Sequence, residues 1–137
     1  MVLGQFDKRT LEILIEKVIH ALLHMESSVV DYAPIPIMSM KHWEWPQGVA
    51  LFALYQYYKE TGSPEILKFL YDWFDARIAE GLPEKNVNTV CPMLTLSYLA
   101  ETETRYMPYC EEWIDYVIFE MPRAGEEAIQ HVVTGYA

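Results

Sequence analysis

The chain has 137 residues, of which 52% are apolar and 14% aromatic, a composition that supports one cored domain over 1–137 and argues against disorder. Its formal net charge of −10 argues against nucleic acid or an anionic membrane as a partner, since both are bound through Lys and Arg that displace counterions. No apolar run is long enough to span a bilayer, no leader-like opening is evident, and Cys91 and Cys110 lack metal-ligand spacing, so a reduced, cytoplasmic chain is expected.

Asp7 is placed to cap a first helix. Behind it Leu11, Leu14, Ile15, Val18, Ile19, Leu22 and Leu23 recur at helical spacing to about residue 25. The segment SSVVDYAPIPIMSM (27–40) carries β-branched residues and two prolines and reads as a long loop with a short extended piece. Pro46 suits the first turn of a second helix, where a missing N–H costs nothing, and Gly62 ends that helix. Ser63, Pro64 and Glu65 start a third: a cap, a first helical residue and a charge favoured by the helix dipole. Gly81 and Pro83 stop it. After the polar loop EKNVNT, Thr89 is expected to cap a fourth helix that has Pro92 near its start. A fifth helix covers roughly 105–121, and the tail AGEEAIQHVVTGYA loses the helical period and reads as extended. The fold class is all-α.

The third and fifth helices repeat each other. LKFLYDWFD (67–75) lies over MPYCEEWID (107–115) at an offset of 40, which aligns Trp73 with Trp113, Asp72 with Glu112 and Asp75 with Asp115. A period of 40 residues with two helices per unit marks an array or toroid of α-hairpins, each burying one face against its neighbours.

Two segments combine groups suited to ligand binding. Trp43 and Trp45, two apart, point to one side of an extended or turn segment. There they offer aromatic faces to a sugar ring, with Gln47 available for a hydroxyl. The alternative is that both tryptophans pack on the start of the second helix. In NVNT (86–89), Asn86 and Asn88 precede a helix N-terminus, whose free N–H groups and positive dipole suit a carboxylate; the alternative is an ordinary turn with a cap. His20 and His24 are four apart but lack the HExxH pattern, so no metal is expected. The carboxylate pairs fall on polar helix faces, and no phosphate loop or nucleophile motif is present.

Read together and in order, W-x-W-P-Q-G-V from Trp43, N-V-N-T-x-x-P-M-L from Asn86, EMPR and the Q-H that ends at His131 resemble glycoside hydrolase family 105. These are the unsaturated rhamnogalacturonyl hydrolases. The resemblance covers roughly 40–131 and implies helical hairpins forming about half of an (α/α)6 barrel. It also implies a substrate, a pectin-derived oligosaccharide with a 4,5-unsaturated uronic acid at its non-reducing end, released when an aspartic acid protonates the double bond and water adds. No cofactor or metal is implied. Carried over by position, Trp43, Trp45, Gln47, Asn86, Asn88 and His131 become substrate-binding residues. Where some relatives have a second acid, this chain has the amide Asn88. No residue matches the family's catalytic acid, so the chain resembles the N-terminal part of such an enzyme. Its exposed edge is then expected to be covered by self-association or by a C-terminal half of the barrel. The competing reading is a non-catalytic helical-hairpin binding module.

Overall fold

The computed structural model describes residues 7–24, 29–30, 33–34 and 39–131. Parts of the expected loop over 27–40, the end of the first helix near residue 25, and 132–137 of the expected extended tail lie outside the described residues. Contacts divide the chain into two units, Met1–Met40 and Lys41–Ala137.

In the first unit, α1 is Lys8–His24. Asp7 caps it as expected: its two carboxylate oxygens accept from the Thr10 N–H at 2.8 Å and the Thr10 hydroxyl at 3.0 Å. The two-residue strands β1 (Val29–Val30) and β2 (Ala33–Pro34) pair antiparallel.

The second unit is built of hairpins. α2 (Trp45–Thr61) and α3 (Pro64–Glu80) are separated by only two residues. Gly62 adopts the left-handed conformation (φ 68°) and returns its N–H to the Tyr58 carbonyl at 2.7 Å, a closure that side-chain-bearing residues disfavour. The Ser63 hydroxyl then accepts from the Ile66 N–H, and Pro64 opens α3 with its fixed φ. α4 (Cys91–Ala100) and α5 (Met107–Asp115) follow, with a 3-10 turn over Thr104–Tyr106 leading into α5. α2 packs on both α3 and α4, and α4 packs on α5. Leu51, Leu54, Leu70, Phe74, Leu96 and Leu99 are buried between them, which supplies the apolar burial that holds such hairpins together.

Two helix boundaries differ from the expectation. Thr89 does not cap α4. Its buried hydroxyl donates to the Glu84 carbonyl at 2.8 Å and accepts from the Asn86 N–H at 2.9 Å. Asn86, three residues earlier, closes the turn before the helix, its Oδ1 accepting from the N–H groups of both Asn88 (2.9 Å) and Thr89 (3.1 Å), and α4 opens after Val90 with no side-chain cap. The fifth helix is also not uniform. After Asp115 it widens into a π-turn over Tyr116–Glu120, closed by the Met121 N–H on the Tyr116 carbonyl at 2.8 Å. The Arg123 guanidinium donates to the Val117 carbonyl near the end of this turn.

Candidate functional site

The two candidate segments meet at one end of the second unit, where α2 and α4 begin. The Trp43 indole N–H donates to the Thr89 carbonyl at 2.7 Å, tying the entrance of α2 to the loop that enters α4. Gly48, in the first turns of α2, lies against α4 so closely that a Cβ there would sit 2.6 Å from Cys91 Sγ and 2.7 Å from both Cys91 C and Pro92 N. A glycine inside a helix costs stability, so its use here reflects this close backbone approach. Pro46 and Pro92 each occupy an opening position of their helix, where no N–H bond is lost. Two helix N-termini with their positive dipole ends are therefore held side by side.

The tryptophans do not share a face. Trp45 is the first residue of α2 and is 50% exposed, whereas Trp43 is 7% exposed. The same-side expectation assumed an extended segment that includes both tryptophans, and the helix begins at the second. Trp43 stacks on Trp73 (5.4 Å between ring centres), meets the edge of Phe74 (5.6 Å) and lies 6.2 Å from Trp113. With its ring so enclosed and its N–H committed, it offers no stacking face to a sugar, and its place at this end is as the pin of the joint. Trp45 keeps an open ring.

Gln47 is buried at 2% exposure, within the wall of the joint. Asn86 is exposed, with its Oδ1 engaged in the turn, and Asn88 is half-buried beside it. His131 is exposed on the segment after a short turn bridged at Arg123 and Ile129. Among the described residues, no hydrogen bond or ring contact links it to the other five. The structure thus brings together Trp43, Trp45, Gln47, Asn86 and Asn88 through α2 and α4, whereas His131 lies on a separate segment after Gln130.

Other groups near the joint were less legible in the sequence. Lys85, next to Asn86, bonds Glu112 at 2.6 Å and lies over the Trp113 and Tyr116 rings at 6.0 and 5.9 Å, clamping the loop to α5. The Arg77 guanidinium donates to the Lys41 carbonyl and to Glu80 at 2.6 Å, holding the stretch before Trp43 onto α3. Only Gly48 had a signal, as a glycine inside an apolar helical run. Burial pushes up both free thiols, Cys91 and Cys110, consistent with apolar packing rather than nucleophilic use. His24 Nδ1 donates to the His20 carbonyl at 2.8 Å, and the two rings stack. Among the described residues no cluster of three or more His, Cys, Asp or Glu is arranged to hold a metal ion, and no helix is long and apolar enough to cross a membrane.

Comparison with known proteins gives this joint a context. The profile of Glycosyl Hydrolase Family 88 matches residues 15–136. The unsaturated rhamnogalacturonyl hydrolase YesR of Bacillus subtilis (strain 168) is 28% identical over 130 residues, which cover 93% of this chain and 34% of YesR. Two crystal structures superpose with TM-scores of 0.81. One, described as a possible member of the GH105 family from Klebsiella pneumoniae, is 34% identical and matches 95% of this chain and 37% of its own. Another, with the same description, from Salmonella enterica serovar Paratyphi A, is 36% identical and matches 98% of this chain and 38% of its own. The chain therefore spans just over a third of the length of these relatives, and its helical hairpins correspond to part of their fold.

Proposed function

The chain belongs to glycosyl hydrolase family 88, and from that premise we propose that it forms part of the substrate site of an unsaturated rhamnogalacturonyl hydrolase. The substrate is a pectin-derived oligosaccharide ending in a 4,5-unsaturated galacturonic acid, and the reaction is hydration of its double bond. The observation that carries this reading is the joint itself: the W-x-W-P-Q-G-V and N-V-N-T segments, 46 residues apart at Trp43 and Thr89, are hydrogen-bonded at one end of the fold.

In this reading Trp45 stacks on the sugar through its open ring, and the Asn88 amide binds a hydroxyl or the carboxylate. The two helix N-termini favour the negative charge of the uronate, which the net acidity of the chain otherwise repels. Trp43 and Gln47 shape the wall. Asn86 holds the turn that presents Asn88, and His131 approaches from the following segment. Proton donation to the double bond in the family's manner requires a carboxylic acid kept protonated at working pH, and none of these six residues is a carboxylic acid.

The test is titration of the chain with an unsaturated rhamnogalacturonan disaccharide, followed by tryptophan fluorescence and by the ultraviolet absorbance of the conjugated enol ether. Saturable binding that Trp45→Ala weakens about tenfold, the order of one lost aromatic contact, is expected. Binding without loss of absorbance supports a contributing site that lacks the acid. Turnover by the chain alone refutes the assignment of the acid to residues elsewhere, and no saturable binding refutes the site.

A further inference from the structure

α1 carries a polar stripe that ends on two histidines. Glu12, Glu16, His20 and His24 follow one another at intervals of four residues, which sets them one above the other along the helix, and all four are exposed. The HExxH pattern that this helix lacks belongs to catalytic zinc sites. A simple i, i+4 histidine pair meets a smaller requirement, two imidazole nitrogens that can reach one ion.

Two features of the pair go beyond its spacing. The first is the tautomer. His24 Nδ1 lies 2.8 Å from the His20 carbonyl oxygen, and a carbonyl can only accept, so Nδ1 carries the proton. In the neutral ring Nε2 is then the bare nitrogen. Metal-ligating histidines are set in this way, with the other ring N–H held by a backbone carbonyl that fixes the tautomer and orients the ring. The second feature is distance. The rings stack with their centres 4.3 Å apart and their planes 25° from parallel. With metal–nitrogen bonds of about 2.1 Å, two imidazoles on one ion have centres about 4.6 Å apart at a right angle and about 5.3 Å at the tetrahedral angle. The pair therefore opens by at most about 1 Å to take an ion, and the exposure of both rings leaves room for that turn.

Charge favours the same outcome. His24 is the last residue of α1, where the helix dipole is negative and attracts a cation. Glu16 stands one turn before His20, and the chain carries a net charge of −10; Lys17, three residues before His20, is the opposing charge on this stretch. We propose that His20 and His24 form a binding site for a divalent transition-metal ion of the zinc, nickel or copper class, which imidazole suits. His24 Nε2 and a ring nitrogen of His20 are the protein ligands, and water takes the remaining positions. Among the described residues no third His, Cys, Asp or Glu completes a cluster with the pair, so the site is open and its ion exchanges. The ion bridges one helical turn and ties down the end of α1. The proposal rests on α1 alone and is independent of the sugar reading.

The probe is Zn²⁺ titrated into the full chain, followed by calorimetry and by NMR of the imidazole nitrogens, which separates Nδ1 from Nε2 in each ring. Saturable binding is expected, with the large shift at His24 Nε2 rather than Nδ1 and a matching shift in the His20 ring. His20→Ala and His24→Ala each weaken this binding by about a hundredfold, because the second ligand no longer adds intramolecularly. Ala21→His combined with His24→Ala keeps the chain's four histidines but turns the two rings to different faces, and it binds as weakly as His24→Ala alone. Every substituted position is exposed, so the variants retain the native circular dichroism spectrum. Zn²⁺ binding of unchanged strength in the single variants assigns the ion to other groups and overturns the proposal. Ligation of His24 through Nδ1 overturns it as well, and so does the absence of a saturable change in the two rings.

Discussion

Replacing Gly48 by alanine tests the joint most directly, because two opposed effects of known size act at one residue. Alanine is favoured over glycine in a helix by about 1 kcal/mol, so an open position would gain stability. Gly48 is not open. The added Cβ falls 2.6–2.7 Å from three α4 atoms, about 0.7 Å short of ordinary contact, and two of the three are backbone atoms of Cys91 and Pro92. No rotamer change relieves them, so α2 and α4 must move apart against their packing. Such overpacking costs about 1–3 kcal/mol, and with backbone on the receiving side the upper end applies. The net loss is about 2 kcal/mol, which at a urea slope of about 2 kcal/mol/M lowers the midpoint by about 1 M. Removing the sulfur as well, with Cys91→Ala, leaves both backbone contacts and gives little rescue. Gly62→Ala separates the two causes: nothing lies within 4 Å of its Cβ position, so it loses about 1 kcal/mol from its left-handed backbone alone. A midpoint for Gly48→Ala equal to or above that of the parent chain refutes the close approach as the reason for this glycine.

Two further outcomes follow from neighbouring groups. Trp43→Phe removes the donor to the buried Thr89 carbonyl and part of a buried ring. It should cost about 2–3 kcal/mol by calorimetry, whereas half-exposed Trp45→Ala should cost less than about 1 kcal/mol. Burial, and then the hydrogen bond to Asp75, push the Tyr106 phenol up to about 12. An unfolded phenol titrates near 10, so from about pH 10 to 12 the unfolded chain gives up this proton while the folded chain keeps it. The stability present below pH 10 is therefore lost through that window at about 1.4 kcal/mol per pH unit. Tyr106→Phe should flatten this part of the urea midpoint's alkaline decline, and an unchanged slope would show that Tyr106 is not its source.

Local chemistry made the helices legible from the sequence alone. Asp7, Ser63, Pro46, Pro64 and Gly62 act within a turn of their own position, and each is found at the boundary it was expected to mark. The repeat was visible because Trp73 and Trp113 perform the same buried task in successive hairpins. Where a group had both a local and a distant use, spacing did not decide between them. Thr89 looks like a cap, yet α4 opens without a side-chain cap and the Thr89 hydroxyl closes the loop on Glu84. The helix of 105–121 ends in a π-turn whose closing bond no apolar period reveals.

The candidate site shows the same division most clearly. Sequence by itself determined that an aromatic pair and an asparagine pair stand at two helix entrances, and that apolar-rich helices follow them. Only tertiary structure decided that the entrances touch, that Trp43 is the buried pin while Trp45 stays open, and that Gly48 sets their spacing. The reason is physical: periodicity and capping depend on neighbours within a few residues, whereas the exposure of the Trp43 ring depends on Trp73, Phe74 and Trp113, and the approach of two backbones on Gly48 meeting Cys91 and Pro92.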